Sequence, residues 1–211
     1  NIGTVIIKHA NPCGVSVDNN KIKSYREALA CDPISAFGGI VSCNFKVNKK
    51  IALELNKIFI EVIIGLGFDK DSLKILKKKK NLRLIDANKF IIKDTIKLAS
   101  LNESLLTQSE DLKKFNIRDF KIVSRKKPSK SQFENLIFAF NICRYVKSNA
   151  IVLTSDKSTV GIGSGQPSRL DSCQIAINKM RKFSKNCREI FAASDAFFPF
   201  VDGVEKLVQS G

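Results

Sequence analysis

The 211-residue sequence has a single histidine, His9, and its six cysteines (Cys13, Cys31, Cys43, Cys143, Cys173 and Cys187) form no C-x-x-C pair. Without a second imidazole or closely spaced thiols there is no ligand set for a protein-built zinc site, so no metal is expected. The irregular cysteine spacing suits free thiols in a reducing, cytoplasmic compartment rather than a disulfide framework. No apolar run approaches the ~18 residues of a membrane span, and the N-terminus lacks the basic, apolar, small-residue order of a signal peptide. No membrane partner is expected. An initiator methionine is also absent, and the chain starts at Asn1 and stops at Gly211 behind a helical pattern, which reads as a segment of a longer protein.

What is present is enough for a core: 44% of residues are hydrophobic, in a chain long enough for one large domain or two small ones. The formal net charge of +16 favours an anionic partner. A basic nucleic-acid-binding module would concentrate that charge in a stripe with aromatics interleaved, but the lysines are dispersed. Lys77–Lys80 is the one tight run, and it reads as solvated surface. The charge then implies tolerance of phosphate, and no nucleic-acid partner is expected.

The chemistry is densest at the start. Val5-Ile6-Ile7 reads as a buried strand delivering Lys8 and His9 into a turn formed by Asn11-Pro12 and Gly14. Read locally, His9 is either a base working near neutral pH beside a lysine or a satisfied structural histidine. Ser24–Cys31 reads as a helix ended by Asp32-Pro33, and Gly38-Gly39 precedes a second apolar strand. Residues 48–60 read as one amphipathic helix, with Ile51, Ala52, Leu55, Ile58 and Phe59 at helical spacing. Glu61 then opens a strand, a helix runs from about Ser72 into the lysine run, and Leu82–Ile85 returns as a strand. Such alternation indicates a layered α/β sheet.

Signals weaken from Ala87 to Val123, and the polar connector Ser124–Ser129 is the best domain boundary. Ser131–Lys147 is the clearest helix, with Phe133, Leu136, Ile137, Phe140 and Cys143 as its inward stripe. It feeds Asn149 into a corner before the strand Ala150–Thr154. Gly161-Ile162-Gly163-Ser164-Gly165 lacks the dinucleotide and P-loop signatures, but it precedes a helix bearing Arg169, a suitable place for an anionic group. Ser194–Asp202 sets three phenylalanines and a proline between two acids, either core or the rim of an aromatic-ring site.

Five stretches in register resemble one family. They are Lys8–Gly14, Asp32–Gly39, Lys147–Ala150, Gly161–Arg169 and Ser194–Phe200, and they are similar to the formyltransferase part of the bifunctional purine-synthesis enzyme, in which 5-aminoimidazole-4-carboxamide ribonucleotide (AICAR) formyltransferase is fused to inosine monophosphate cyclohydrolase. The resemblance implies transfer of a formyl group from the cosubstrate 10-formyltetrahydrofolate to the AICAR amine, without metal. It implies catalytic roles for His9 (removing the amine proton), Lys8 (helping the folate nitrogen leave) and Asn149 (orienting the formyl carbonyl). Phe37, Gly38, Glu61, Arg169 and Phe197 match AICAR-binding positions, and Pro199 and Asp202 match folate-binding ones. The implied fold is two layered α/β/α, cytidine-deaminase-like subdomains, here a complete first one at 1–124 and a truncated second one at 125–211, working as a homodimer. A non-catalytic relic of the fold is the alternative. The chain departs from the family pattern at Gly65-Leu66, Glu103-Ser104 and Pro167, positions that bear on local loop shape.

Overall fold

The computed structural model describes residues 2–90, 96–113, 115–184 and 187–211. The opening apolar run forms β1 (Ile2–Lys8), which turns straight back into β2 (Asn11–Asp18). The turn is His9-Ala10, at φ of 51° and 58°, the left-handed pair whose twist suits a two-residue hairpin loop. Asn11–Gly14, expected as the turn, is therefore strand. A register shift between Ile6 and Ile7 places the bulge beside Pro12, which has no N–H for the ladder.

The predicted alternation follows as α1 (Lys21–Cys31), β3 (Gly39–Cys43), α2 (Lys49–Leu55), β4 (Ile60–Gly65), α3 (Lys70–Leu76) and β5 (Arg83–Asp86). Each helix starts on a side-chain cap, from Asn20, Asn48 and Asp69, which satisfies N–H groups that have no partner within the helix. The helix expected over 48–60 stops at Leu55, with Asn56 as its C-cap. Phe59 leaves the helical stripe and packs at a tilt against Phe37, 5.3 Å between ring centroids. Beyond β5, β6 (Ile96–Leu101) and β7 (Ser104–Ser109) form a separate two-stranded ribbon. Then come α4 (Lys130–Cys143), β8 (Ile151–Ser155), β9 (Ser158–Gly163), α5 (Arg169–Phe183), β10 (Phe191–Ser194) and α6 (Asp202–Gln209).

Eight strands make one sheet in the order β10-β8-β9-β2-β1-β3-β4-β5. β3, β4 and β5 are parallel and the other neighbours antiparallel. The layered α/β/α class expected from the sequence is what forms. β8 displays the layers by its two-residue period: Val152 packs with Ala139, Ile142 and Cys143 of α4, whereas Ile151 and Leu153 pack with Cys173, Ala176 and Ile177 of α5. Across the sheet, Ile6, Val41 and Ile63 bury against Tyr25, Ile51, Leu55 and Leu76 of α1, α2 and α3. The outward side of this half carries Ile7, Ile40, Val62 and Ile64, all half-buried, and Ile85, 47% exposed. None of these five belongs to the buried clusters.

Two sequence expectations change here. The buried stripe of α4 is Asn135, Ala139, Ile142 and Cys143. Of the stripe read from sequence, Phe133 and Phe140 instead meet Phe115 and Phe120 edge to face, and with Leu136 and Ile137 they line an open, mainly apolar cavity of about 660 Å³. The glycines of the G-x-G run are a packing device before they are an anion cradle. Gly161 and Gly163 lie in β9, where a Cβ would come within 2.2 Å of the Ala176 carbonyl oxygen and 1.9 Å of that of Ser172. Only glycine lets α5 lie this close to the sheet.

Candidate functional site

Strand register brings the chemistry-bearing stretches to one end of the sheet. β1 ends at Lys8 where β2 begins at Asn11, and Ile7 is opposite Ile40 near the start of β3. Gly39 is paired with Ile60, so Glu61 opens β4 at the same end. On the other side, Gly163 at the end of β9 faces Ile151 at the start of β8, which faces Ser194 at the end of β10. Lys8, His9, Gly38, Glu61, Asn149, Arg169 and the Phe197 segment all leave strands or enter helices along this rim.

Two clusters sit on it. In the first, the Lys8 Nζ donates to the Phe37 carbonyl oxygen at 2.7 Å. Phe37, 60% exposed, belongs to a turn anchored on Asp32. The Asp32 carboxylate accepts from the Ser35 N–H at 2.9 Å, the Ser35 hydroxyl at 2.7 Å and the Lys179 ammonium at 2.7 Å. Burial pushes this carboxyl up, but Lys179 and the two Ser35 donors outweigh it and hold it below the usual carboxylate range. Gly38, at φ 71°, donates to the Phe59 carbonyl oxygen at 2.9 Å, and a Cβ there would lie 3.9 Å from Glu61 Oε1. The structure thus gathers Lys8, Phe37, Gly38 and Glu61, with Glu61 and His9 exposed.

The second cluster centres on Asn149. Its amide nitrogen donates to the carbonyl oxygens of Gln166 (3.0 Å) and Pro167 (2.8 Å), while its side-chain oxygen accepts from Arg169 Nη2 at 2.7 Å. Both amide hydrogens are thereby committed within the protein. Arg169 Nη1 reaches the Ser194 hydroxyl at 2.8 Å and Asp195 Oδ1 at 2.5 Å. The Arg169 charge, read from sequence as free for an anion, is already paired, in a bridge whose side chains are only 12% and 16% exposed. Burial raises the Asp195 carboxyl, but the Ser148 hydroxyl, Arg169 and the Ala150 N–H together hold it below the ordinary range. Phe198 lies 6.0 Å from the Arg169 guanidinium. Its neighbours Phe197 and Phe200 are 81% and 74% exposed, and Pro199 and Asp202 are exposed too. The clusters are joined where the Lys147 N–H donates to Asn11 Oδ1 at 2.9 Å.

Sequence marked Asp195 only as a flanking acid and Asn11 only as a turn former, and it did not single out Lys179. Lys179 gives no local signal, being one of several basic residues along its helix. Among the described residues no three His, Cys, Asp or Glu side chains gather where a metal ion would be held.

The rim combines a lysine, an exposed histidine, an amide and a paired arginine with exposed aromatic rings. Residues 1–179 match the AICARFT/IMPCHase bienzyme family. The bifunctional purine biosynthesis protein PurH of Acetivibrio thermocellus is 41% identical over 210 residues, 98% of this chain and 40% of that protein. The PurH proteins of Parvibaculum lavamentivorans and Persephonella marina are 43% and 42% identical over the same shares of each chain. The chain therefore spans about two fifths of the length of these relatives, and within that span it belongs to the AICARFT/IMPCHase bienzyme family.

Proposed function

We propose that the rim is the site at which a formyl group passes from 10-formyltetrahydrofolate to the amine of AICAR, in a cytoplasmic, homodimeric enzyme of purine synthesis. The observation that carries this reading is the convergence of Lys8, His9 and Asn149, from distant parts of the sequence, on one end of one sheet. The amine attacks a formamide-like carbon through a tetrahedral intermediate, so the reaction needs a base, a proton donor and a group to hold the developing oxyanion.

His9 stands exposed at the tip of the β1–β2 hairpin, where its ring takes the amine proton. Lys8 is held beside it by the Phe37 carbonyl and delivers a proton to the departing folate nitrogen. Asn149 offers an N–H to the formyl oxygen by exchanging one of its two carbonyl partners. Arg169, already neutralised by Asp195, orients Asn149, so the AICAR phosphate draws more on the general basic excess than on this guanidinium. Phe37, Gly38, Glu61 and Phe197 border the AICAR pocket, with Pro199 and Asp202 toward the folate.

Tetrahydrofolate release on mixing the chain with AICAR and 10-formyltetrahydrofolate tests the reading, with His9→Ala as control. The 211 residues, about two fifths of the length of these relatives, are expected to turn over little alone, since each substrate contact that the rest of such a protein would supply is worth roughly 1–3 kcal/mol. Whatever release occurs falls by about 10²–10⁴-fold in His9→Ala. Release undiminished by that substitution refutes the role of His9.

A further inference from the structure

Among the described residues a single ion pair runs between residues 2–90 and residues 130–211. It joins Lys179, on α5, to Asp32, the C-cap of α1, at 2.7 Å. The carboxylate is the deeper partner, its side chain 4% exposed against 33% for the lysine. A charge so buried persists only when it is paired and hydrogen-bonded. Asp32 commits both oxygens: Oδ1 accepts the Ser35 N–H, while Oδ2 accepts the Ser35 hydroxyl and the Lys179 ammonium. Formyl transfer as proposed makes no direct use of either partner.

We propose that Lys179 is a positioning residue for the Lys8 ammonium, acting through Asp32 and the turn that follows it. For its bearing on formyl transfer this rests on the reading of Lys8 as the proton donor. The path is bonded at each link. Lys179 holds the Asp32 carboxylate. Asp32 holds Ser35 by its side chain, and its carbonyl oxygen accepts from the Ala36 N–H at 3.1 Å. The next residue, Phe37, presents the carbonyl oxygen on which Lys8 Nζ rests at 2.7 Å. The three charges also converge on one thiol of β2. Burial pushes the Cys13 thiol up, Asp32 adds to the rise, and Lys179 and Lys8 oppose it. What Lys179 brings is an anchor on a rigid element. α5 lies close against β9 because Gly161 and Gly163 carry no Cβ, and a site group is held best when its support is fixed to such an element. The same helix starts at Arg169, which bonds the Asn149 side chain. One helix thus sets groups in both clusters of the rim.

Acylation of the chain by sulfosuccinimidyl acetate at fixed pH, with the rate at each lysine read by peptide mass spectrometry, tests the proposal. Lys179→Met is expected to raise the Lys8 rate about fivefold, the factor for one net hydrogen bond. Lys21 and Lys79, whose ammonium groups rest on backbone carbonyls elsewhere, keep their native rates. Lys179→Arg preserves the charge and holds Lys8 near its native rate. Because Lys179→Met leaves a buried carboxylate unpaired, a strongly destabilising change, Asp32→Asn with Lys179→Met is run beside it. That pair cuts the same link without an unpaired charge, and the same fivefold rise is expected. A Lys8 rate unchanged in both variants overturns the proposal, as does a rise shared by Lys21 and Lys79, which is general loosening. Turnover supplies a second readout: Lys179→Met lowers kcat about fivefold and adds nothing in a Lys8→Met background, the non-additivity of residues acting as one unit. An additive loss overturns the proposal. Where turnover is too low to measure, the acylation rates decide. Release undiminished in His9→Ala refutes the formyl-transfer role of His9 and leaves the acylation result standing, so the two readings fail separately.

Discussion

The hairpin tip shows at residue scale how a site and its cost coincide. His9 and Ala10 both occupy left-handed backbone, a conformation that histidine tolerates better than alanine. Ala10→Gly removes about 1–2 kcal/mol of strain at that position and raises the melting temperature by about 2–4 °C for each kcal/mol in a chain of this size. Thermal unfolding followed by circular dichroism checks this. Asn149 is held by side-chain hydrogen bonds. Asn149→Ala leaves the Pro167 carbonyl and one guanidinium N–H short of a partner, while the Gln166 carbonyl keeps the backbone N–H of residue 149, a loss of about 1–3 kcal/mol measurable in urea. The residue types of the site were legible because each sits in a contiguous stretch whose chemistry is local. Their engagements were not. That Asn149 spends both amide hydrogens, or that Arg169 comes already paired with Asp195, depends on which loops the fold lays side by side.

Elements were legible where one side faces a core and the period is clean, and less so where two surfaces compete for the same residues. α1 and α3 appear within a few residues of their sequence positions, whereas Ile58 and Phe59 extend the periodicity of α2 past its true end because apolar residues entering β4 continue the same beat. α4 was found, but its stripe was misplaced toward its phenylalanines, of which Phe133 and Phe140 meet Phe115 and Phe120 edge to face. The close packing of α5 was hidden altogether, since a G-x-G run reads as a loop until its carbonyl neighbours are known. Gly163→Ala puts a Cβ 1.9 Å from the Ser172 oxygen, so α5 must move. The expected cost is about 3 kcal/mol, the upper part of the overpacking range, and Gly3→Ala serves as a comparison because its added Cβ would meet no atom closer than 3.5 Å. At the start of α4, Ser129 and Gln132 form a reciprocal capping box. Ser129→Ala costs about 1 kcal/mol, read from the same denaturant curves.

For the whole molecule the layered class followed from alternation, whereas the position of the ribbon had no sequence signal, its residues resembling any half-buried strand pair. Stability as a function of pH belongs to this scale. Asp32 and Asp195 titrate below their unfolded values, so the unfolded chain binds their protons first and the stability they supply is lost as pH falls from about 4 through the depressed native range. Burial lifts the Cys31, Cys43 and Cys143 thiols to about 12. The unfolded chain ionises them from about 8.5, and stability declines as pH rises from there. Urea midpoints are therefore expected to form a plateau between these limits, and a midpoint that climbs above pH 9 contradicts the alkaline half. The join between β2 and β9 has a mechanical consequence. A single ladder pair, Ser16 with Ser158, joins the two strands, reinforced by the Val17 N–H on the Lys157 carbonyl oxygen at 2.9 Å, the Val15 N–H on the Thr159 hydroxyl at 2.8 Å and the two serine hydroxyls at 2.8 Å. Under tension applied through Ile2 and Gly211 the sheet tears along this line first, and Thr159→Val, which removes the hydroxyl fastener, lowers the force at which it does so.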